Sequence, residues 1–500
     1  MKVIIIGAGI AGLSAGIFAR QSGFDVTIFE THTMPGGNAT GWKRKGYYFE
    51  GGMHWLVGSS EKTELNKLWY SLGALQENNP IFNRDPFLTY VNGEEKIALY
   101  RDTDKLKKHL LEISPQDEKA ICQLIKDIRA LKKATMPITD IKGVRVHHKT
   151  SIPLSQLFAY VKAAKTMAKL SKMSIDEYVG CFKHKGIHEL LKSVIAMGEY
   201  SATSLIFTLG GLAEYDSGYP KGGSLQMVQN MANTFENIGG VIEYGKKVSC
   251  INVVDAQVNS ISIGNKLYMA DAVIVTSDTL VATEQLFDPP LCEDWITKLK
   301  DEIIPVNCTF ISLGVKQDMS HLPTNIVLSL KEPFVYCGRT YTSISLNNYA
   351  TFEGYAPKGC TAITIMLYED TYDRWKQLYL EGTYQDKKEE LAKNIIQLLE
   401  ENLSEIKGKV EVWDIATPLT YERYCGTFRG SWMSVMKPKS NSNTSPSKSK
   451  DIKNLYFAGQ RLMIPGGMPA AMVTSRTAVQ HLCKDTNTVF QGGWDKEKRV

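Results

Sequence analysis

The chain has 500 residues, 43% of them hydrophobic and 22% charged, with a formal net charge of +5. That profile excludes a fibrous or disordered chain, and the charge is far below the basic footprint of a nucleic-acid binder. Nine cysteines are scattered without a CxxC pair, so neither a zinc site nor a disulfide framework is indicated, and a reducing, cytoplasmic setting is expected.

The first element is an apolar strand, Val3 to Ile6, running into Gly7, Gly9 and Gly12, then a helix opened by Ile10 and Ala11, a second strand over Val26 to Phe29, and an acid, Glu30. This order holds an adenine dinucleotide. Gly7 makes the tight turn, Gly9 lets the backbone approach a pyrophosphate, and Gly12 lets the helix pack close to the strand. The helix N-terminus offers orphan amides to the phosphates, and Glu30 accepts the ribose hydroxyls, which disfavours a 2′-phosphate. A signal peptide or membrane helix would explain neither the three glycines nor the acid.

Met34-Pro35-Gly36-Gly37-Asn38 follows directly, and a strand near Tyr47 to Glu50 runs into Gly51-Gly52-Met53-His54-Trp55. A second glycine pair brings backbone amides to the diphosphate and ribityl side of a flavin, and the later turn brings Met53, His54 and Trp55 towards its ring. His54 is a candidate for proton transfer, and Trp55 for packing on the ring or lining a cavity.

Residues 76–218 form a mostly helical insertion by pattern. Within it, residues 142–185 hold nine Lys or Arg against two acids. Leu157, Val161, Ala164 and Ala168 make one helical stripe beside Lys162, Lys165, Lys169 and Lys172. This suits a helix lying on a bilayer, and equally a lid with a solvated basic face.

Tyr219-Pro220-Lys221-Gly222-Gly223-Ser224 then leads into a helix over Leu225 to Ile238, with Ser224 as its expected cap and Gly239-Gly240 as its stop. Strands over Val241 to Tyr244, Val248 to Val253 and Ala270 to Val275 follow. Residues 286–440 alternate β-rich runs with an amphipathic helix near Lys388 to Leu403, which presents Leu391, Ile395, Leu398 and Leu399 on one face. Tyr421, Arg423 and Tyr424 are expected on a strand. Residues 441–451 are polar and low in complexity, so a flexible loop is expected. Leu455 to Phe457 is a strand ending near Gly459, and Pro465-Gly466-Gly467-Met468-Pro469 leads into a helix over Ala470 to Cys483, whose N-terminus faces the flavin. Residues 486–500 are expected to be a frayed tail.

These motifs in this order resemble the phytoene desaturase-related flavoproteins, a group of carotenoid desaturases, carotenoid isomerases and retinol saturases within the amine-oxidase-like superfamily. The resemblance implies an α/β fold: a Rossmann-like domain assembled from residues 1–75, 219–285 and 452–485, a helical cap from 76–218, and a mixed α+β substrate domain from 286–440. It implies non-covalent FAD on Gly7, Gly9, Ile10, Ala11, Gly12, Glu30, Gly36, Gly37, Asn38, Gly52, Met53, Val248, Gly459, Gly467 and Met468. It also implies a lipophilic polyene substrate, oxygen or a quinone as electron partner, and peripheral contact with the inner face of a membrane. Many relatives carry arginine where this chain has Asn38, and no second nucleotide fingerprint is present. An amine oxidase, or a non-catalytic prenyl binder of the GDP-dissociation-inhibitor type, shares the same framework.

Overall fold

The computed structural model describes residues 1–136, 138–147, 154–195, 198–437 and 442–492, apart from the side chains of 155, 156 and 162. Its first strand, Lys2–Ile6, is buried from Val3 onward and lies at the centre of a five-stranded sheet. Across that sheet the strands run Leu455–Phe457, Ala272–Val275, Lys2–Ile6, Asp25–Phe29 and Val241–Glu243, all parallel. Parallel strands need crossovers and coverage on both faces. Helices Ile10–Gln21, Gly223–Asn237 and Gly467–Asp485 supply part of it, and the three-stranded antiparallel sheet over Cys250–Met269 packs near the other side. The fold is α/β and Rossmann-like, with its sheet drawn from three stretches far apart in the chain.

The first helix sits unusually close to the first strand. A β-carbon at Gly12 would overlap the Gly7 carbonyl oxygen and come within 2.9 Å of the Thr276 hydroxyl. Only glycine permits that approach. Helix Gly467–Asp485 packs along the first helix, and Ser475 donates to the Ala11 carbonyl at 2.8 Å.

The second sheet has seven strands in the order Val410–Ala416, Thr309–Val315, Thr361–Leu367, Arg339–Asn348, Asn325–Tyr336, Leu88–Asn92 and Glu95–Leu99. Helix Tyr384–Asn402 buries Leu391, Ile395, Leu398 and Leu399 against it. The last two strands come from the insertion expected to be mostly helical. They form a hairpin whose two-residue loop is Gly93-Glu94, where Gly93 has φ +61°, and a glycine at the first loop position is the signature of such a turn. The remaining helices of that insertion, including Thr103–Ile113, Glu118–Leu131, Leu154–Leu170 and Ala202–Ala213, share a separate core.

Several local expectations are corrected. Ser224 is not a cap: Gly222, with φ +82°, precedes a helix that already includes Gly223. Tyr421, Arg423 and Tyr424 lie on a helix, Pro418–Cys425, started by Thr417 and Pro418. Within the expected flexible loop, Ser447 and Ser449 are buried, and Ser449 donates to Glu293. This segment is thus tied to residues distant in the chain, with the Phe457 amide also donating to the Ser447 carbonyl oxygen, rather than being a solvated linker. In the expected tail, Phe490 is 2% exposed and packs against Phe18, the ring centroids 5.8 Å apart and the planes tilted by 54°. Residues 438–441 and 493–500 lie outside the described residues, as do 148–153 of the basic stretch and the Lys162 side chain.

Candidate active site

In a parallel α/β sheet, ligands bind beyond the carboxyl ends of the strands. There the structure holds one continuous cavity of about 2770 Å³. It is lined by Gly7, Gly9, Ile10, Ala11, Glu30, Gly36, Gly37, Asn38, Gly52, Met53, His54, Trp55, Val248, Gly459, Gly467 and Met468. Gly12 alone of the expected residues is absent from the lining, because it packs beneath Gly7.

Among the helix N-termini on this cavity are those at Gly9 and at Gly466-Gly467, neither capped by its own N-cap side chain, although the Gly467 amide donates to Gln460 Oε1 at 3.0 Å. Each presents orphan amides and a partial positive charge of about +0.5. The Glu30 carboxylate accepts the Ala8 amide at 2.6 Å and the His32 amide at 2.8 Å, so it is fixed at the end of the second strand with acceptor capacity left. A β-carbon at Gly9 would touch only Gly36, at 3.6 Å from its carbonyl oxygen, so nothing in the protein requires a bare backbone there. Asn38 Nδ2 reaches the Trp432 carbonyl at 3.4 Å, while its Oδ1 is buried without a partner. Open amides, a fixed carboxylate and an orphaned amide oxygen on one cavity fit an adenine dinucleotide carrying a ring at its far end.

Two buried groups rivet the three chain segments together here, and sequence reasoning missed both. Glu50 accepts the amides of Gly52 and Met53 and, from the second segment, the Ser224 amide and the Tyr219 hydroxyl, all at 2.8–3.0 Å. Burial pushes its carboxyl up, and those donors oppose the rise. Arg461, 4% exposed, donates to Asp278, Ser431 and Ser434, tying the C-terminal segment to the helix that starts after Asp278. An acid closing an apolar strand before Gly51-Gly52 was a readable signal for Glu50. Arg461 had none beyond its place after Gly459.

Beyond the glycine turns the cavity continues between the seven-stranded sheet and the helical insertion. Its walls include Trp55, Phe87, Tyr160, Met167, Tyr200, Phe207, Met366, Tyr368 and Trp432. His54 stands at the junction, with Nε2 2.9 Å from the Met366 sulfur and Nδ1 3.4 Å from Asn347 Nδ2. Its ring meets Trp432 edge to face at 5.9 Å. Burial, and secondarily the Arg84 guanidinium, push its pKa down from 6.5 to about 4. His54 is therefore a neutral wall group at physiological pH and a poor proton donor. Arg423 and Tyr424, expected in a core strand, line the cavity, and Tyr424 lies 5.9 Å from the His32 ring.

The family model for flavin containing amine oxidoreductases matches residues 10–483. The chain is 21% identical to an all-trans-retinol 13,14-reductase of Danio rerio, over 93% of this chain and 83% of that one. It is 22% identical to a lycopene-forming phytoene desaturase of Pseudescherichia vulneris, over 97% of this chain and 99% of the other. A putrescine oxidase structure shares the fold with a TM-score of 0.61 at 14% identity, covering 97% of this chain and 99% of that one.

Gly9→Val is expected to keep the thermal midpoint of flavin-free wild type and to purify without flavin, whereas Gly12→Val, which forces helix and strand apart, is expected to lose about 3 kcal/mol or more of stability. Retention of stoichiometric flavin by Gly9→Val would contradict the placement. For His54, whose proton affinity is depressed on folding, stability is complete above pH 6.5 and is lost as pH falls towards 4, a difference on the order of 3 kcal/mol. Thermal midpoints of wild type and His54→Gln should thus diverge in trend between those pH values, with the wild type falling more steeply; parallel curves would refute a buried neutral imidazole.

Proposed function

The chain belongs to the flavin-containing amine oxidoreductase family, with FAD as its cofactor, and from that premise we propose that it acts on carbon–carbon bonds of a hydrophobic polyene or isoprenoid by desaturation, saturation or cis-trans isomerisation. Bound FAD supplies a centre that takes or returns a hydride or electrons. The observation that carries the substrate class is the extent and lining of the cavity past His54. It runs from the dinucleotide turn to the helical insertion, with aromatic and thioether side chains such as Trp55, Phe207, Met366 and Trp432 on its walls beside charged groups that include Glu199, Arg339 and Glu369. A drug-sized ligand site occupies about 300–1,000 Å³, so a volume of about 2770 Å³ leaves room for a long second molecule beside the cofactor.

In this reading Gly7 to Ala11 take the pyrophosphate, Glu30 the ribose and Val248 the adenine side. Gly36, Gly37, Asn38, Gly52 and Met53 hold the middle, and Gly459, Gly467 and Met468 the far ring. His54 and Trp55 shape the space where substrate meets that ring, with placement of the reacting C–H bond as their contribution. The side-chain contacts of His54 are Met366, Asn347, Trp55 and Trp432, all neutral. Arg84, which donates to its carbonyl oxygen, is cationic. None of these His54 contacts is a carboxylate, so at that point of the cavity a neutral group is favoured over a protonated amine.

Because the sequence carries one nucleotide fingerprint, a diffusible partner is proposed: oxygen or a quinone takes the two electrons released by desaturation, a reduced quinone supplies the two consumed by saturation, and isomerisation needs no net partner. Among the described residues no helix is long and apolar enough to cross a membrane. Helix Leu154–Leu170 nevertheless leaves Leu154, Phe158 and Val161 more than two-thirds exposed, while Tyr160, Met167 and Ala168 of the same helix line the cavity. Contact of this helix with a bilayer surface would let a lipophilic substrate pass directly between lipid and cavity.

Two experiments address these proposals. The flavin is reduced anaerobically and mixed with carotenoid, retinoid or amine; reoxidation, polyene bleaching or a cis-trans spectral shift with a polyene is expected. Reduction of oxidised enzyme by amines alone, with peroxide release, would replace the proposal by an amine oxidase. For the membrane contact, replacing Lys162, Lys165, Lys169 and Lys172 with Gln should weaken co-sedimentation with anionic vesicles, and unchanged sedimentation would remove that contact.

A further inference from the structure

Outside the main cavity the buried guanidinium of Arg84 has no ion-pair partner among the described residues. Arg84 is 9% exposed, and its Nη1 donates to the His54 carbonyl oxygen and to Asn325 Oδ1, each at 3.1 Å. Its Nε is buried without an acceptor, and among the described residues Nη2 donates to nothing and no Asp or Glu pairs with the guanidinium. The group lies over the Tyr219 ring at 4.9 Å and the Phe352 ring at 5.5 Å. Glu50 is separated from it by Tyr219, whose hydroxyl holds the Glu50 carboxylate. Aromatic faces soften the loss of water around a cation but do not replace an anion.

Beside this group lies a second, smaller cavity of about 220 Å³, open to solvent and lined by Phe82, Asn83, Arg84, Thr324, Thr351 and Phe352, of which Phe82, Asn83 and Thr351 are exposed. Arg84 does not line the main cavity, so the exposed edge of its guanidinium opens on this one. Among the described residues the side chains of Asn83, Thr324 and Thr351 make no hydrogen bonds either. We propose that this cavity is a binding site for a small oxoanion, a carboxylate or phosphate group, held by the free edge of Arg84 and by the hydroxyls of Thr324 and Thr351. A planar guanidinium flanked by neutral donors matches acceptor oxygens spread over one group. A cation would be repelled, and an apolar ligand would leave the donors unpaired. Arg84 Nη1 grips the carbonyl of His54, which lines the main cavity, so occupancy of the small site bears on the wall of the large one.

The test is calorimetric titration of the flavin-loaded protein, at constant ionic strength, with inorganic phosphate and separately with acetate. Saturable binding of at least one is expected, and the responding anion identifies which oxoanion the site prefers. Binding should weaken about tenfold or more in Arg84→Gln, the loss of one charge-assisted hydrogen bond. It should also weaken in a Thr324→Val, Thr351→Val double variant, which leaves Arg84 in place. If Arg84→Gln fails to fold, the double variant decides. Absence of saturable binding of both anions to the wild type, or unchanged binding in the double variant, overturns the proposal.

Discussion

Five parallel strands drawn from three separated stretches end along one edge, and that shared edge is the constraint on which the rest of the molecule depends. The first strand is hydrogen-bonded on one side to Asp25–Phe29 and on the other to Ala272–Val275, which itself pairs with Leu455–Phe457. Any ligand at this edge is therefore held by residues from the beginning, middle and end of the chain at once. The close approach of Gly12 to Gly7 sets where the first helix points. The Ser475 bond to Ala11 sets the position of the C-terminal helix against it. Two helix N-termini converge on one space because those two contacts leave them nowhere else to go.

Holding three segments in register takes buried polar chemistry as well as apolar packing. Glu50 and Arg461 each satisfy several donors or acceptors from different segments, which is the condition under which a buried charge organises a structure rather than weakening it. Past these rivets the character of the cavity changes. Around His54 the groups are neutral and soft: a thioether, an amide, indoles and an imidazole held unprotonated by its surroundings. In the proposed reading such a region would orient a hydrophobic molecule by shape, leaving the electron chemistry to the cofactor.

The dinucleotide framework was legible because its determinants are local. Strand, glycines and acid all fall between Val3 and Glu30, and each glycine answers to one backbone requirement. The strands Ala272–Val275 and Leu455–Phe457 could be read from short, fully buried apolar runs, the latter beside a glycine turn. What was not legible depends on partners distant in sequence. The hairpin of Leu88–Asn92 and Glu95–Leu99 announces itself through Gly93, yet only the edge of Asn325–Tyr336 reveals that it extends the seven-stranded sheet. Ser447 and Ser449 look like linker residues until Glu293 is brought against the second of them. Tyr424 looked like a core aromatic on a strand because nothing local was taken to show that Thr417 and Pro418 begin a helix. The aromatic wall of Trp432, Tyr368 and Trp55 is assembled from three separate parts of the chain and has no motif at all.

That one FAD lies across all three segments, with its ring at the start of the aromatic passage, is tested most directly by a crystal structure of the purified protein with its native cofactor. The expected density runs from Glu30, past Gly9 and Asn38, to a tricyclic ring between Gly467 and His54, with the passage towards Phe207 open beyond it. A cofactor lying elsewhere, or a ring turned away from Trp432 with side chains filling the passage, would contradict it.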